Sequence, residues 1–580
     1  MALAKKYWLV IAGVALALWF VFGRSPTVTT RAPSTNSMGN DVSMDTTSPA
    51  ATPSKVPVNQ SDSTPAQERV EKYPLLLSPE SVAVGQEFTV VVSLTEQKLS
   101  NAEILNGDST PEGKLVFTLP ATPQQSWKLD VTLAGDGLVF SRGTGMSSIE
   151  LPRHGNATAA TFVVKASPAV AASGVIHLVA AFGYNNAYLA FISRDIHVTP
   201  SAPQQAAEPP SRPMATTAAS VGNTSGVLDN SVPKPDLLVF IRDNNVFIFS
   251  PYFHLPPGKL PDLTGFPEWL AQHSPASAGR GSQLIAPERV SEHAKGFGEV
   301  LYQHYAPDVF KRAFWATVAA RGKLFRTIQI ESDQPDIPWE LMRPVREDGT
   351  DEQNFLGLDY SVARWDTSGG AMTQNPPYSE NIPHTFVIAP HYTGSRSLDG
   401  EAEETQQLAR LSGYSAINGN RIALKALFQN PPQGIVHFAG HGELDAVNNE
   451  FEILLEDGAL DVISWRSMAE SPPLSHTFFF FNACDVGNAT RSGNFVDGFG
   501  PAVLSKGAIG YIGALWPVND QVAAKFSVHF YQLVQDELAS GPVDVSAALE
   551  QTRREVYKDT GNPTALAYVL YGDTNLKFVK

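Results

Sequence analysis

The sequence predicts a multidomain chain with an amino-terminal membrane helix, an all-β sandwich domain and an α/β domain whose sheet is mostly parallel. Three patterns support this fold class: an uncharged apolar run near the start, period-two alternation of apolar residues across the middle, and alternating strand and helix patterns thereafter. The predicted divisions are a membrane helix at residues 1–24, a Ser/Thr/Pro-rich linker at 25–72, a β-sandwich at 73–200, a second linker at 201–234 and the α/β domain at 235–580.

The apolar run near the amino terminus predicts a membrane anchor. Residues 7–23 carry no charge, and as a helix they would extend about 25 Å, the short end of what spans a hydrocarbon core. A cleaved secretory signal is the alternative, but residues 20–24 lack the small-x-small pattern of a cleavage site. Lys5 and Lys6 precede the run, so the positive-inside rule places the amino end in the cytosol. The predicted localisation is a single-pass membrane protein with most of the chain outside the cytoplasm.

The linkers and the sandwich are distinguished by composition and by periodicity. Residues 25–66 contain eight Ser, eight Thr, six Pro and no aromatic residue, which is too little apolar surface to offset the entropy of ordering. Farther along, Phe88, Val90 and Val92 alternate with other residues, as in a strand with one buried face. No catalytic constellation occurs in residues 73–200, so this region is interpreted as a binding or spacing module.

Composition and missing motifs exclude several function classes. Lys and Arg number 42 against 58 Asp and Glu, and the net charge of −16 disfavours a nucleic-acid partner. The only cysteine, Cys484, cannot form an internal disulfide or a cysteine-rich zinc site. The sequence has no P-loop, no complete GxGxxG and no GxSxG, which argues against the usual nucleotide-binding and serine hydrolase classes.

Chemically useful residues follow two apolar strands of the α/β region. Residues 435–438 and 477–481 are continuous apolar runs of the kind buried on both faces of a parallel sheet. His441 and Gly442 follow the first run, and Cys484 follows the second. Loops that leave the carboxyl ends of neighbouring strands share one crevice, so these residues meet if the two strands are neighbours. A thiolate and an imidazole are the minimum for nucleophilic catalysis, and the Gly442 and Cys484 amides are candidates for an oxyanion hole.

Two structural alternatives compete with this interpretation. A lone cysteine that ends an apolar strand is more often inert core than nucleophile. His437 and His441 have the spacing of a metal-binding pair, but His437 lies within a predicted strand, where the helical geometry of such a pair fails. We therefore predict no metal and no cofactor, and we interpret His437 as a sheet residue that supports the loop. The interval of about forty residues before Cys484 accommodates one crossover between parallel strands, which favours the catalytic alternative.

These motifs resemble a known family. GHGE at residues 440–443 and NAC at residues 482–484 resemble the two catalytic boxes of caspase-like cysteine peptidases, specifically the CHAT family. Further segments that fit the family are IPWEL at 337–341, FLGL at 355–358, SVAR at 361–364, GAIG at 507–510 and WPV at 516–518. The resemblance spans residues 234–580. It implies a caspase-like fold in which Cys484 attacks the peptide carbonyl and His441 is its acid–base partner, with Asn482 lining the pocket for the side chain before the cut.

The leading hypothesis is a membrane-anchored bacterial CHAT-type cysteine endopeptidase that cleaves a protein substrate. CHAT proteins commonly carry helical repeats, but this sequence has no thirty-four-residue period, and the β-sandwich is predicted to serve instead as a sensing or docking module for a protein activator. One alternative is a catalytically silent caspase-like scaffold that binds partners. Another is an extracytoplasmic adhesion protein whose main functional part is the sandwich.

Overall fold

The computed structural model describes most of the chain from residue 68 onward. The described residues are 68–98, 113–172, 174–185, 187–200, 220–222, 225–228, 233–275, 287–346, 348–350, 352–367, 378–445, 450–469, 473–484, 486, 490–492 and 495–580. All of them belong to one compact unit, Pro65–Lys580.

Two facing sheets form the first part of this unit. Their strands are β1 (Glu68–Leu77), β2 (Ser81–Ala83), β3 (Glu87–Thr95), β4 (Leu115–Leu119), β5 (Ser126–Gly135), β6 (Leu138–Phe140), β7 (Met146–Pro152), β8 (Ala160–Ala166), β9 (Val175–Tyr184), β10 (Ala187–Thr199), β11 (Ser220–Gly222) and β12 (Ser225–Val227). One sheet has the order β12-β4-β1-β3-β8-β6, and the other has the order β11-β10-β9-β5-β7, with β2 paired to β10. Strands β11 and β12 lie within the range predicted as the second linker.

Alternation explains why these strands pack as two layers. Along β5, Trp127 and Leu129 are buried, whereas Lys128 between them is exposed. Phe88 and Val90 of β3 are buried in the same hydrophobic cluster as the β5 residues. Each sheet therefore turns one apolar face toward the other, as the period-two pattern requires.

The second part is an α/β layered fold around one large sheet. Its strands and those of the small accessory sheets are β13 (Leu237–Arg242), β14 (Asn245–Phe249), β15 (Gly258–Lys259), β16 (Thr327–Ser332), β17 (Ser361–Asp366), β18 (Ser379–Asn381), β19 (Thr385–Ile388), β20 (Tyr414–Ile417), β21 (Gly434–Ala439), β22 (Gly442–Asp445), β23 (Glu450–Leu455), β24 (Gly458–Asp461), β25 (Thr477–Asn482), β26 (Thr490–Ser492), β27 (Phe495–Asp497), β28 (Gly510–Ala514), β29 (Val543–Asp544), β30 (Tyr568–Tyr571) and β31 (Lys577–Val579). The α-helices are α1 (Phe266–His273), α2 (Pro287–Val300), α3 (Asp308–Arg321), α4 (Leu356–Asp359), α5 (Asp399–Leu408), α6 (Arg421–Gln429), α7 (Val462–Met468), α8 (Phe499–Ser505), α9 (Asp520–Leu538) and α10 (Val545–Thr560).

The large sheet is mixed and is covered on both faces. Its order is β15-β14-β13-β16-β17-β30-β28-β25-β21-β19-β20. Neighbours from β28 to β20 are parallel, whereas β30 pairs with β28 antiparallel. In β25, Phe478 and Phe480 enter one hydrophobic cluster, and Phe479 and Phe481 enter another on the opposite face. The run of four phenylalanines thus joins the helix layers on both sides of the sheet.

A buried aromatic contact joins the sandwich to the large sheet. Tyr188 of β10 stacks on Phe240 of β13, with ring centroids 4.5 Å apart and an interplanar angle of 19°. Phe191 lies 5.2 Å from Phe240, centroid to centroid, and the Arg242 guanidinium lies over the Phe191 ring at 4.9 Å. The second sheet of the sandwich therefore packs directly against strand β13.

The predicted membrane helix is not supported. Residues 1–24 lie outside the described residues. In the described part of the chain, no helix combines the length and the apolar character needed to cross a bilayer; even the 19-residue helix α9 includes charged residues such as Lys525 and Asp536. The predicted fold class was therefore wrong in including a membrane helix, and the predicted single-pass localisation was wrong with it. The α/β part of the fold class fits: the sheet is mixed, and seven of its ten neighbouring strand pairs are parallel, as predicted.

Candidate active site

The strands that carry the predicted catalytic residues are direct neighbours. β21 pairs with β25 in parallel, and Ala439 lies opposite Asn482 at the end of the ladder. The Gly440 N–H donates a further hydrogen bond of 3.3 Å to the Asn482 carbonyl. Both strands therefore end at the same edge of the sheet, where the loops of a parallel sheet form a crevice. His441 and Cys484 each lie two residues beyond these paired strand ends.

Gly442 brings the two loops into contact. A Cβ atom at this position would lie only 2.2 Å from the Cys484 carbonyl oxygen and 2.8 Å from Cγ1 of Val486. Real Cβ atoms do not approach other atoms so closely, so only glycine allows the histidine loop to pack against the backbone of the cysteine loop. Gly442 also begins β22, which pairs with β23. The close contact explains the glycine without reference to a substrate.

The imidazole of His441 is oriented by a backbone carbonyl. Its Nε2 lies 2.8 Å from the carbonyl oxygen of Arg396. A carbonyl can only accept a hydrogen bond, so Nε2 carries the hydrogen and donates it. In the neutral ring this leaves Nδ1 as the unprotonated nitrogen. The ring is thus prepared to accept a proton on Nδ1 while Nε2 remains bound.

Tyr392 holds the backbone of the same histidine. Its hydroxyl accepts a hydrogen bond of 3.1 Å from the His441 N–H and donates one of 2.6 Å to the Leu454 carbonyl. Its ring meets the His441 ring edge to face, with centroids 4.7 Å apart. Burial raises the pKa of the Tyr392 hydroxyl above its ordinary value, so the group stays protonated and remains a donor.

Cys484 is partly exposed and its sulfur accepts a backbone hydrogen bond. The Val518 N–H lies 3.4 Å from Sγ. A hydrogen bond donated to sulfur favours the thiolate over the thiol, and the thiolate is the nucleophilic form. This donor comes from the loop between β28 and α9, a third segment at the site.

A cavity of about 590 Å³ opens beside Cys484. Apolar side chains such as Leu270 and Trp516 line most of it, together with the carboxylates Asp336 and Glu443. His441 is not among the lining residues, although Glu443 lies only two positions beyond it. The cavity is large enough to hold a side chain of a bound polypeptide next to the thiol.

Asn482 lies in a buried hydrogen-bond network instead of the cavity wall. Its Nδ2 lies 2.9 Å from each carboxylate oxygen of Glu404 and 3.2 Å from the Ala523 carbonyl. The Tyr568 hydroxyl donates to Asn482 Oδ1 at 2.6 Å. Asn482 is 5% exposed and does not line the cavity. These contacts favour a structural role over the predicted contact with substrate.

The same network includes His437. Its Nε2 lies 2.8 Å from Glu404 Oε1, and its Nδ1 lies 3.1 Å from the Tyr531 hydroxyl. Ser527 also donates to Glu404. Burial, reinforced by Glu404, raises the pKa of Tyr531 well above its ordinary range, so its hydroxyl remains a donor. His437 is fully buried, in agreement with its interpretation as a sheet residue.

A further carboxylate lies where helices α5 and α9 begin. Burial, with nearby Glu404 and Asp520, raises the pKa of Glu401 to about 7. The Gly400 N–H donates to Asp520 Oδ2 at 2.6 Å, and a Cβ on Gly400 would lie 2.5 Å from the Asp520 carbonyl oxygen. The start of α5 therefore touches the start of α9, just after Val518.

Tyr392, Arg396 and Val518 were not predicted as site residues. The first two lie in the loop between β19 and α5, more than forty residues before His441, and Arg396 acts through its carbonyl oxygen, which every residue type possesses. Val518 contributes a backbone N–H in the same way, although it lies in the WPV segment that fits the family. A sequence pattern carries information about side chains. The contacts of Arg396 and Val518 are made by backbone groups, so they could not be predicted from a pattern of residue types.

Comparison with known families gives a match over the region that contains both loops of the candidate site. The family model of the CHAT domain matches residues 298–572. Residues 298–572 form a CHAT domain. The match confirms the resemblance seen in the sequence, and the CHAT domain contains both strand ends of the candidate site. It begins after β13, β14 and β15, so these first three strands of the large sheet lie outside the matched range.

Several solved structures are similar to the chain. The Saccharomyces cerevisiae separase–securin complex at 3.0 Å matches with 17% identity and a TM-score of 0.29, covering 44% of this chain and 15% of that chain. The Arg-specific cysteine proteinase gingipain R matches with 12% identity and a TM-score of 0.33, covering 54% and 74%. The complex of the Porphyromonas gingivalis RgpB pro- and mature domains matches with 11% identity and a TM-score of 0.31, covering 55% and 78%. This chain thus matches only a small part of the separase. The comparison with curated proteins found no match.

Proposed function

We propose that this protein is a cysteine endopeptidase that cleaves a protein substrate, with Cys484 as nucleophile and His441 as acid–base partner. The observation that carries the proposal is the contact between the two loops, in which Gly442 packs against the Cys484 backbone beside a cavity of about 590 Å³. The CHAT domain at residues 298–572 supports the same chemistry.

The proposed reaction begins with transfer of the Cys484 thiol proton to His441. The thiolate attacks the carbonyl carbon of the scissile peptide bond and forms the S–C bond. As the C–N bond breaks, the imidazolium gives its proton to the departing amine, and an acyl-enzyme remains. A water molecule, deprotonated by His441, then attacks the same carbon and releases the acid and the thiolate.

Two backbone features support this assignment of roles. The Arg396 carbonyl binds Nε2 of His441, which leaves Nδ1 to exchange the proton. The amides of Gly442 and Cys484 are the proposed oxyanion hole, because each belongs to a loop at the same crevice and backbone N–H groups stabilise a developing oxyanion. The dyad needs no metal ion for any of these steps.

The β-sandwich is proposed to dock the substrate or a protein activator. It packs against β13 through Tyr188 and Phe240, so a partner bound to the sandwich is held at a fixed place relative to the large sheet. Tethering a substrate in this way raises its effective concentration at the thiol.

Mapping of new amino termini tests the proposed peptidase activity. The full chain is incubated with a denatured protein mixture, and the new termini are identified by mass spectrometry. The proposal predicts cuts made by the wild type that disappear in both Cys484→Ala and His441→Ala. Thermal unfolding of each variant shows whether the fold is retained.

Either of two results contradicts the proposal. Cuts that persist in Cys484→Ala would arise from another protease. A folded wild type that makes no cuts, even with a partner of the sandwich present, would favour the silent scaffold.

A further inference from the structure

One loop contacts both the imidazole and the backbone N–H of His441. We call residues 389–398, between β19 and α5, the clasp loop. It supplies the Arg396 carbonyl that binds the imidazole and the Tyr392 hydroxyl that binds the histidine backbone N–H. The ring and the main chain of one residue are thus fixed by the same segment.

The Tyr392 hydroxyl lies between two segments that are also joined directly, by a hydrogen bond of 3.0 Å from the Leu454 N–H to the His441 carbonyl. It accepts from His441, which follows β21, and donates to the Leu454 carbonyl in β23. A phenolic hydroxyl has one proton to donate and lone pairs to accept, so both contacts are made at once. A Cβ placed on Gly440 would lie 2.5 Å from this oxygen, so the loop before His441 is also packed against it.

The clasp loop is itself anchored. The His391 N–H donates to Glu456 Oε1 at 3.1 Å, and Gly394 adopts a φ of 67°, a left-handed conformation that favours glycine. At the end of the loop, Gly400 of helix α5 binds Asp520. The position of Tyr392 is therefore set by contacts that do not involve the histidine.

We propose that Tyr392 is a positioning residue that acts through His441, holding the histidine backbone so that the imidazole meets Cys484. The inference rests on the proposed function, because it assumes that His441 and Cys484 work as a pair. Without the hydroxyl, the His441 N–H and the Leu454 carbonyl lose a shared partner, and the hydrogen bond from the Leu454 N–H to the His441 carbonyl is left to hold this part of the backbone. A displacement of about 1 Å at a catalytic group is enough to cost about a hundredfold in rate.

The test is a double-mutant cycle on the alkylation rate of Cys484, the only cysteine. Iodoacetamide reacts with the full chain at pH 7 in the wild type, Tyr392→Phe, His441→Ala and the double variant. We expect Tyr392→Phe to slow alkylation by about tenfold, because less of the thiol is held as thiolate by the imidazole. We expect no further slowing when Tyr392→Phe is added to His441→Ala.

The matched control is Tyr252→Phe. Tyr252 donates a hydrogen bond of 2.7 Å to Asp236, away from the clasp loop, so this variant also loses one tyrosine hydroxyl contact. It should alkylate at the wild-type rate. If Tyr392→Phe fails to fold, Gly394→Ala replaces it: the new side chain has open space but strains the clasp loop, and it should slow alkylation only while His441 is present.

The outcomes separate the inference from the proposed function. If alkylation is slow in His441→Ala but proceeds at the wild-type rate in Tyr392→Phe, the inference about Tyr392 is overturned and the proposed function is not. Additional slowing in the double variant also overturns it, since Tyr392 would then act independently of His441. If His441→Ala reacts like the wild type, the pairing itself fails, and the inference fails with the proposed function.

Discussion

Gly442 and Cys484 are packed so closely that a methyl group on the glycine would lie 2.2 Å from the cysteine carbonyl oxygen. This contact fixes the histidine loop against the cysteine loop at the carboxyl edge of the sheet. The two loops come from strands separated along the chain by the segment that carries β22, β23, β24 and α7. The candidate site therefore depends on a backbone-to-backbone contact as much as on the side chains of His441 and Cys484.

Gly442→Ala should remove activity without removing the fold. The new Cβ would displace one loop from the other, so we expect peptide cleavage to fall by at least about a hundredfold. Gly296→Ala is the control, because it places the same methyl group in open space on helix α2 and should raise the melting temperature slightly. Undiminished cleavage by a folded Gly442→Ala would show that the loops do not need this contact.

Asn482→Ala should destabilise the protein without changing the cleavage preference. It removes two contacts from the buried Glu404 carboxylate and the acceptor of the Tyr568 hydroxyl. We expect the free energy of unfolding to fall by about 3 kcal/mol, because a buried charge loses partners. Asn420→Ala, which removes a helix cap on α6, should cost only about 1 kcal/mol. A changed residue preference with unaltered stability would support the predicted substrate contact of Asn482 over the structural role.

Glu331→Gln should make stability less dependent on pH. Burial and the neighbouring Asp573 raise the pKa of Glu331 to about 8, far above its ordinary value. Between that ordinary value and pH 8, the folded protein holds a proton that the unfolded chain has released, so stability falls as pH rises. We expect the loss between pH 5 and pH 8 to shrink by at least about 1 kcal/mol in Glu331→Gln.

Thermal unfolding at the two pH values measures this effect. Glu87→Gln is the control, because it makes the same substitution at an exposed position. An equal pH dependence in Glu331→Gln and the wild type would mean that Glu331 is already ionised in the folded protein at pH 5.

Tyr188→Ala should uncouple the sandwich from the large sheet. The ring stacks on Phe240 across the contact, and its loss should cost about 3 kcal/mol. Calorimetry should show one unfolding transition for the wild type and two for the variant. Phe140→Ala, which removes a ring from the sandwich away from this contact, should lower stability without splitting the transition. A single transition in Tyr188→Ala would indicate that other contacts join the two parts.

The meeting of the two strand ends could be predicted from sequence because buried parallel strands have a strong signal. The run from Phe478 to Phe481 is typical of a strand covered on both faces, and its neighbour at residues 435–438 has the same character. The face of the sheet on which Asn482 lies could also be predicted from the sequence. It is two residues beyond Phe480, so period-two alternation places both side chains on one face, toward the helix that carries Ser527. The family resemblance predicts instead a contact between Asn482 and substrate.

Contacts made by loops could not be predicted in the same way. Tyr392 contacts His441 because β19 pairs with β21. The sequence around Tyr392 contains no pattern that predicts this pairing. The loop has no repeat or periodicity, and its role follows from the order of strands in the sheet. The same holds for Val518, whose backbone N–H reaches Cys484 from a loop more than thirty residues away.

The most direct test of the His441–Cys484 pair is the pH dependence of alkylation of the single thiol. Iodoacetamide modification is followed by mass spectrometry from pH 5 to pH 10 in the wild type and in His441→Ala. An unchanged melting temperature first shows that the variant is folded. We expect the wild-type thiol to react well below pH 8, and His441→Ala to move the midpoint up to that of a free thiol, about 8.5. Superimposable curves for the two proteins would contradict the pairing of His441 with Cys484.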